Sequence, residues 1–568
     1  MDSATLTKNL LDARRLVLGG DAAAAVLLLQ RMAAGAPAEA ECRYWLASAS
    51  LALGDADAAT AHLNDARILQ AIPLIRGMRA DLARCRAEPD FAARIAQALY
   101  GQGFVALSSV VWTMALQAEK PAAQTLLSFA LSLQHQGRID EAVQVFRAAD
   151  EMFDSASVAQ FLLFPLLFCE DGGEGYAREA MAWARRFAPG EQGRNVQQFP
   201  PRRGKLRIGY VAPRFAGSQL NQFIAPLLNN HDPDAVAVTL YPESAEEIGN
   251  WPEWIDVHPI GGLSAHAAAE RVRQDGIDVL ADCWGHTAGS RLDVFALKPA
   301  PVQVAWLNFV QTTGLPQMDY VLHASSAIGL SDPALFTEEV CDIGPVFTAF
   351  EPSPNRLAPV DTPALANGYV TFGSFNHPAK LGASVVETWS KVLQGAPGSR
   401  LLLKYRYFVD PVLQRTTQAR FAAHGVAPER IVFEGHSSGD AYHRAFGAVD
   451  LALDTWPAPG STTSLEALSN GLPVLALSEG CLTGAYAASF ARASGLPELA
   501  APDATAFVEK AIELTRDPIV LNALRSRVRP AFEHGPVCDG VGFTRRIERR
   551  FAELVEQRRS SSVAAGAA

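Results

Sequence analysis

The chain has 568 residues, 49% of them hydrophobic and 19% charged, which predicts a globular protein of roughly two to four domains. Its net charge of −11 and pI near 5.6 argue against a basic nucleic-acid-binding face. Seven scattered cysteines form no CxxC pair and fit a reducing compartment. No basic-then-apolar leader opens the sequence, and its longest apolar run, 161–168, is too short for a membrane span and contains Pro165. The expectation is a cytoplasmic protein with neither membrane nor nucleic-acid partner.

Residues 1–190 are Ala- and Leu-rich with a helical period. Gly20 and Gly54 each open a Gly-Asp-Ala segment, 34 residues apart; Gly103 and Gly137 are again 34 apart. That spacing, with a small residue five positions on, predicts tetratricopeptide-like helical repeats, which bury their faces against one another and present a groove to a protein. Phe146 and Ala149 fit the second helix of a repeat. Residues 191–204 are expected to be a linker. From Lys205 the texture changes to short apolar runs alternating with helical stretches, as in a parallel, doubly wound sheet. The predicted strands are 206–211, 236–241, 279–282 and 302–307 in a lobe spanning 205–360. A second lobe, 365–559, has predicted strands at 369–372, 400–404, 431–434, 451–454 and 474–477. Residues 560–568 are expected to be a disordered tail. The fold class is therefore α plus α/β: helical repeats, then two Rossmann-like lobes with a cleft between them.

Two segments of the second lobe carry the chemistry: FGSFNHPAK at 372–380 and LALDTWPAPGSTTSLEAL at 451–468. Each reads as a strand end, a polar loop and a helix start. In an open α/β sheet that edge binds ligands. A Gly-Ser-Thr-Thr turn entering a helix offers backbone N–H groups and the positive end of a helix dipole, which suits phosphate. Lys380 would supply a matching cation. Thr462 and Thr463 are expected both to cap the helix and to hold phosphate. Asp278 and Asp282 flank the strand before a Gly-His-Thr turn; they read as structural, with Asp282 a weaker candidate for proton transfer. Asp232 and Asp234 have metal-binding spacing but sit in a loop, and no metal or other cofactor is expected.

Several strings resemble the protein O-GlcNAc transferase family, in which tetratricopeptide repeats precede a two-lobed GT-B glycosyltransferase core: GHTAGSRL at 285–292, FALKPAPVQVAW at 295–306, Thr312 to Gly314, Met318 to Tyr320, FNHPAK at 375–380, PGSRLLL at 397–403, and Thr462, Thr463 and Glu466. The resemblance implies roles residue by residue. Lys380 would stabilise the leaving phosphates, and Ser461, Thr462 and Thr463 would line the phosphate site. Glu466 would hold the ribose, Tyr442 would lie against the base, and His377 would approach the nucleotide. His286, as a catalytic candidate, and Thr287 would come from the first lobe and face the sugar.

Three departures surround the donor. Ser218 stands where the family carries a histidine proposed to assist catalysis, and a serine is no unaided general base near neutral pH. Asn308, Val310 and Gln311 change the loop after Trp306, and Ser461 replaces a histidine. The implied function is an inverting protein O-glycosyltransferase, moving a sugar from a nucleotide-activated donor to Ser or Thr hydroxyls of an acceptor chosen by the repeats. Flagellin, modified with a nonulosonic acid from a CMP donor, extends the resemblance. The alternatives are a UDP-N-acetylglucosamine-dependent enzyme acting on other proteins and an inactive repeat scaffold. A transferase of small molecules is disfavoured by the repeats.

Overall fold

A computed structural model describes residues 88–188 and 204–566, apart from 119, 172, 218–219, 308–310, 329, 331, 357 and 479–485, together with 21–35 and isolated positions before 88. Two compact units emerge: 1–145 with 406–417, and 146–405 with 418–568.

The first unit is helical. Its described helices include Ala22–Gly35, Pro89–Gly101, Val105–Ala115 and Ala123–Gln134, and Ile139–Phe153 begins in it. Gly103 and Gly137 join consecutive helices at φ 90° and 77°, a backbone region open mainly to glycine. Ala25, Ser108 and Ala142, each five residues beyond a repeat glycine, are 0% exposed, so small side chains do sit where helices close on one another. Gly20 and Gly54 themselves lie outside the described residues. Leu99, Phe104, Val111 and Trp112 form the core, with Val412 of the 406–417 segment packed on it. His135 lies between Tyr100 and Tyr407, with ring centroids 5.4 and 4.7 Å away, and its Nδ1 is 2.8 Å from the Tyr100 hydroxyl.

The second unit holds two wholly parallel sheets. The first contains β1 (Leu206–Val211), β2 (Val236–Tyr241), β3 (Asp256–Val257), β4 (Val279–Asp282), β5 (Val302–Ala305), β6 (Tyr320–His323) and β7 (Glu339–Asp342). Their order is β3-β2-β1-β4-β5-β6-β7. The second contains β8 (Thr371–Ser374), β9 (Arg400–Lys404), β10 (Ile431–Glu434), β11 (Leu451–Leu453), β12 (Val474–Leu477) and β13 (Ala500–Ala501), ordered β10-β9-β8-β11-β12-β13. Both are doubly wound. The winding reverses between β1 and β4 in one sheet and between β8 and β11 in the other, and each reversal opens a crevice beyond the strand ends.

Two differences from the sequence expectation stand out. Residues 146–188 belong with the sheets: Trp183 and Ala184 of the Glu174–Phe187 helix share a core with Val211, Tyr241 and Leu280. The Tyr176 hydroxyl also donates to the Thr312 carbonyl at 3.0 Å. At the other end, the last helix runs Gly540–Gly566 and enters the stretch expected as a disordered tail. Extending an existing helix through Val563, Ala564 and Ala565 needs no new nucleus. Among the described residues, no helix is long and apolar enough to cross a membrane.

Candidate functional site

The second sheet's reversal point brings both sequence segments together. β8 leads into the short turn Pro378–Lys380, and β11 leads through Pro459 and Gly460 into the helix Thr462–Ser469. The first intrahelical bond at that end is Leu465 N–H to the Ser461 carbonyl, 3.0 Å. The N–H groups of Thr462, Thr463 and Ser464 therefore have no partner within the helix and form an anion-ready end. Ser461 is the N-cap residue but makes no side-chain cap bond, and Ser461 and Thr462 are both partly exposed.

Lys380 lies alongside. Its Nζ donates to the Pro459 carbonyl at 2.7 Å, which holds the ammonium on the loop that enters the helix. Burial lowers its pKa to about 8, against the opposing effect of Asp454. A bound phosphate would raise it again and hold the ammonium charged to higher pH. His377 caps the Lys380 turn: its Nδ1 accepts from Ala379 N–H at 3.0 Å, and its ring meets Tyr405 edge-on at 4.8 Å.

Thr463 has a different part from Thr462. Its hydroxyl donates to Asn376 Oδ1 at 2.9 Å, and Asn376 Nδ2 donates to Asp454 Oδ1 at 3.1 Å. With its proton committed to Asn376, the Thr463 side chain braces the loop, and a phosphate there would meet its N–H. Gly460 is needed at the turn for space: an added Cβ would overlap Ser464 Oγ and stand 2.7 Å from Thr463 Oγ1 and 2.9 Å from Asp454 Oδ1.

One wall of the site is aromatic. Phe375 and Phe446 stack at 4.2 Å, and Tyr442 meets Phe446 edge-on at 5.1 Å. The Tyr442 hydroxyl donates to Glu466 Oε2 at 2.6 Å. Burial pushes the Glu466 carboxyl up, opposed by its hydrogen bonds to Tyr442 and to Gln222 of the Leu220–Leu228 helix. Gln222, Asn376 and Asp454 carry these contacts without having been assigned roles from sequence. The signal for two of them was present, since Asn376 and Asp454 lie inside the quoted strings.

His286 and Thr287 follow β4, at the other sheet's reversal point. Asp282 shapes their turn by accepting from Trp284 N–H at 3.2 Å and Gly285 N–H at 2.9 Å. Burial raises its carboxyl to about 7. The Thr287 hydroxyl donates to the Trp284 carbonyl at 3.0 Å. His286 is 2% exposed; its Nε2–H donates to the Thr313 carbonyl at 2.8 Å, and its ring meets Trp183 edge-on at 4.8 Å. Burial lowers its pKa to about 4, so the imidazole is neutral near pH 7. The structure thus anchors His286 inward, onto Thr313 and Trp183. Glu338, also buried, accepts from the Thr312 hydroxyl at 2.6 Å and Thr313 N–H at 2.7 Å, which fixes the strand-end loop that receives His286.

Ser218, Asn308 and Val310, three of the sequence departures, lie outside the described residues. Asp232 and Asp234 form a turn in which Asp234 N–H donates to Asp232 Oδ1 at 3.0 Å.

Comparison with known proteins gives this arrangement a context. The family model described as "Glycosyl transferase family 41" matches residues 193–347 and 356–547. A Solanum lycopersicum protein named "Probable UDP-N-acetylglucosamine--peptide N-acetylglucosaminyltransferase SPINDLY" is 30% identical over 415 residues, covering 70% of this chain and 44% of the relative. A Caenorhabditis elegans "UDP-N-acetylglucosamine--peptide N-acetylglucosaminyltransferase" is 23% identical over 449 residues, covering 57% of this chain and 38% of the relative. The chain therefore spans less than half the length of these curated relatives. A solved Thermobaculum terrenum O-GlcNAc transferase mutant matches with a TM-score of 0.71 at 24% identity, covering 99% of each chain, which shows a shared fold.

Proposed function

The chain belongs to glycosyl transferase family 41, and on that premise we propose that it is a protein O-glycosyltransferase with its nucleotide-sugar donor seated above β8 and β11. The observation that carries this reading is Lys380, held on the Pro459 carbonyl beside the open N-terminal end of the Thr462–Ser469 helix. A cation and a helix end at a reversal point can hold a diphosphate and stabilise it as it departs. Glu466, paired with Tyr442 on the aromatic wall, would take the ribose hydroxyls, and Tyr442 and its neighbours the base.

In the transfer, a Ser or Thr oxygen bonds to the anomeric carbon as the bond to the phosphate oxygen breaks, inverting the centre. The hydroxyl proton leaves for a base, and the electron pair goes to the nucleotide. Positioning and stabilisation of the leaving group supply much of the rate. His286, neutral and anchored through Nε2–H, keeps Nδ1 as its basic nitrogen and serves to hold the sugar-side loop. UDP-N-acetylglucosamine is the donor favoured, because the curated relatives carry it in their names. Among the described residues, no feature of the site favours a CMP-linked nonulosonic acid or a flagellin acceptor over it, so both belong among the substrates tested.

The test is transfer. Purified protein is incubated with each donor and candidate acceptors, and sugar on Ser or Thr is read by mass spectrometry. Wild type is expected to glycosylate with UDP-N-acetylglucosamine, and Lys380→Ala to lose at least about a hundredfold in rate, as expected for removing one charge stabiliser. Full transfer by Lys380→Ala would overturn the assignment.

A further inference from the structure

β11 ends in a carboxylate with an unusual division of labour. Asp454 is 1% exposed. Its Oδ1 accepts three hydrogen bonds, from Gly460 N–H at 2.7 Å, Asn376 Nδ2 at 3.1 Å and Ser464 Oγ at 3.4 Å. Its Oδ2 is buried and completes no hydrogen bond, although the Thr455 N–H also favours the ionised carboxylate. A carboxylate left half-bonded in the interior is costly unless an opposite charge compensates it. Lys380 is that charge: each group moves the other toward its ionised form.

The surrounding groups leave Lys380 no other titratable partner among the described residues. His377 turns its Nδ1 onto Ala379 N–H and its ring onto Tyr405. Glu466 is engaged with Tyr442 and Gln222. Asp454 also holds the N–H of Gly460, next to the Pro459 whose carbonyl receives the Lys380 ammonium. Through Asn376 it orients the Thr463 hydroxyl in the first helical turn. One carboxylate thus fixes the loop, the first turn and the electric field at the lysine.

We propose that Asp454 is a positioning residue for donor binding and transfer, one that keeps the Lys380 ammonium charged and aimed at the nucleotide phosphates while tying the Gly460 turn to the end of β11. The proposal rests on the nucleotide-donor reading of this site. It differs from a purely structural role in one respect: the charge of Asp454 matters, beyond its hydrogen bonds.

Asp454→Asn separates the two, since asparagine keeps the size and the Oδ1 acceptor but removes the charge. UDP affinity is measured by calorimetry from pH 6 to pH 9 for wild type, Lys380→Ala, Lys380→Arg and Asp454→Asn. Wild type should weaken as Lys380 loses its proton near pH 8. In Asp454→Asn that weakening should begin about one pH unit lower, giving a loss of roughly fivefold at pH 8 and little at pH 6. Lys380→Arg stays protonated throughout and should show no such limb. In Asp454→Asn/Lys380→Arg the limb should again be absent.

An Asp454→Asn limb that coincides with wild type would overturn the proposal, even if the affinity falls uniformly. Failure of wild type to bind any nucleotide would instead overturn the donor-site reading itself. Should Asp454→Asn not fold, Asp454→Ser serves in its place. It also removes the charge while keeping a short hydroxyl acceptor, so its limb should move to lower pH, and an unmoved limb would count against the proposal.

Discussion

Replacing Asp410 should unfasten two helices at once, Val105–Ala115 and Pro411–Ala422. This aspartate is 0% exposed. Its Oδ2 accepts from Ala106 N–H at 2.8 Å, and Leu107 N–H also bonds the carboxylate. Its Oδ1 accepts from Val412 N–H at 2.9 Å and Leu413 N–H at 3.4 Å. The Val105–Ala115 helix has Phe104 as its own N-cap, which supplies no side-chain bond, so a carboxylate about 300 residues downstream does that work. In Asp410→Ala the two lost caps cost about 1 kcal/mol each, and buried N–H groups left unpaired add about 1–3 kcal/mol, for a total near 3–5 kcal/mol. Burial raises the Asp410 carboxyl to about 6, from 3.8 in the unfolded chain. The native state therefore binds more protons between those values, and this group's contribution falls as pH rises from about 4 to 6. Linkage gives a contribution of about 1.4 kcal/mol at pH 5 and about 0.1 at pH 7, so the substitution should cost about 1.3 kcal/mol more at pH 5. Hydrogen exchange resolved to peptides covering 104–115 and 409–422 reads this locally, where a two-unit chain has no single unfolding free energy. Protection should drop roughly 150- to 5000-fold. A loss below threefold, or a penalty equal at the two pH values, would refute the double-cap argument.

Other substitutions test the site and its support. Gly460→Ala places a methyl against Ser464 Oγ, Thr463 Oγ1 and Asp454 Oδ1, so UDP affinity by calorimetry should fall at least about tenfold while the far-ultraviolet circular dichroism is unchanged. Tyr442→Phe removes the 2.6 Å bond to Glu466 and leaves a buried carboxylate short of a donor. Nucleotide affinity should fall about 5- to 30-fold, corresponding to about 1–2 kcal/mol, and equal affinity would show that the pair does not serve the nucleoside. Gly314→Ala combines φ 73° with a Cβ overlapping the Ala180 carbonyl group and 2.6 Å from Met181 N, where the chain after Thr313 meets the Glu174–Phe187 helix. It should destabilise by about 2 kcal/mol or more; a melting temperature within a degree of wild type would contradict that close approach.

The sheet strands were legible because most are continuous apolar runs, as parallel strands buried on both faces require. β1, β2, β4, β9, β10 and β12 fall on the residues expected. β7, Glu-Val-Cys-Asp, has no such run, and the two-residue strands β3 and β13 are defined by their neighbours; none of these was anticipated. The loop segments at 372–380 and 451–468 advertised themselves through glycine, hydroxyl and lysine chemistry. Their bracing was less visible: Asp454 reads in sequence as one more polar strand end, and only the fold shows Asn376 standing between it and Thr463. The sequence of a Gly-His-Thr turn also does not tell which way its imidazole points. Trp183, about a hundred residues away, settles that His286 faces inward. Asp410 was silent for the same reason, since its partners at Ala106 and Leu107 are brought to it by tertiary packing alone.

The most direct test of the account is thermal stabilisation by UDP, UDP-N-acetylglucosamine, GDP and CMP, measured on wild type and Lys380→Ala. Ligand at a hundred times its dissociation constant adds about 2.7 kcal/mol to the native state. UDP and its sugar conjugate should raise the melting temperature of wild type, and Lys380→Ala should abolish that rise. A response to CMP in place of UDP would redirect the donor to a CMP-linked sugar, and a UDP response equal in wild type and Lys380→Ala, or no response to any nucleotide, would contradict the donor cradle at β8 and β11.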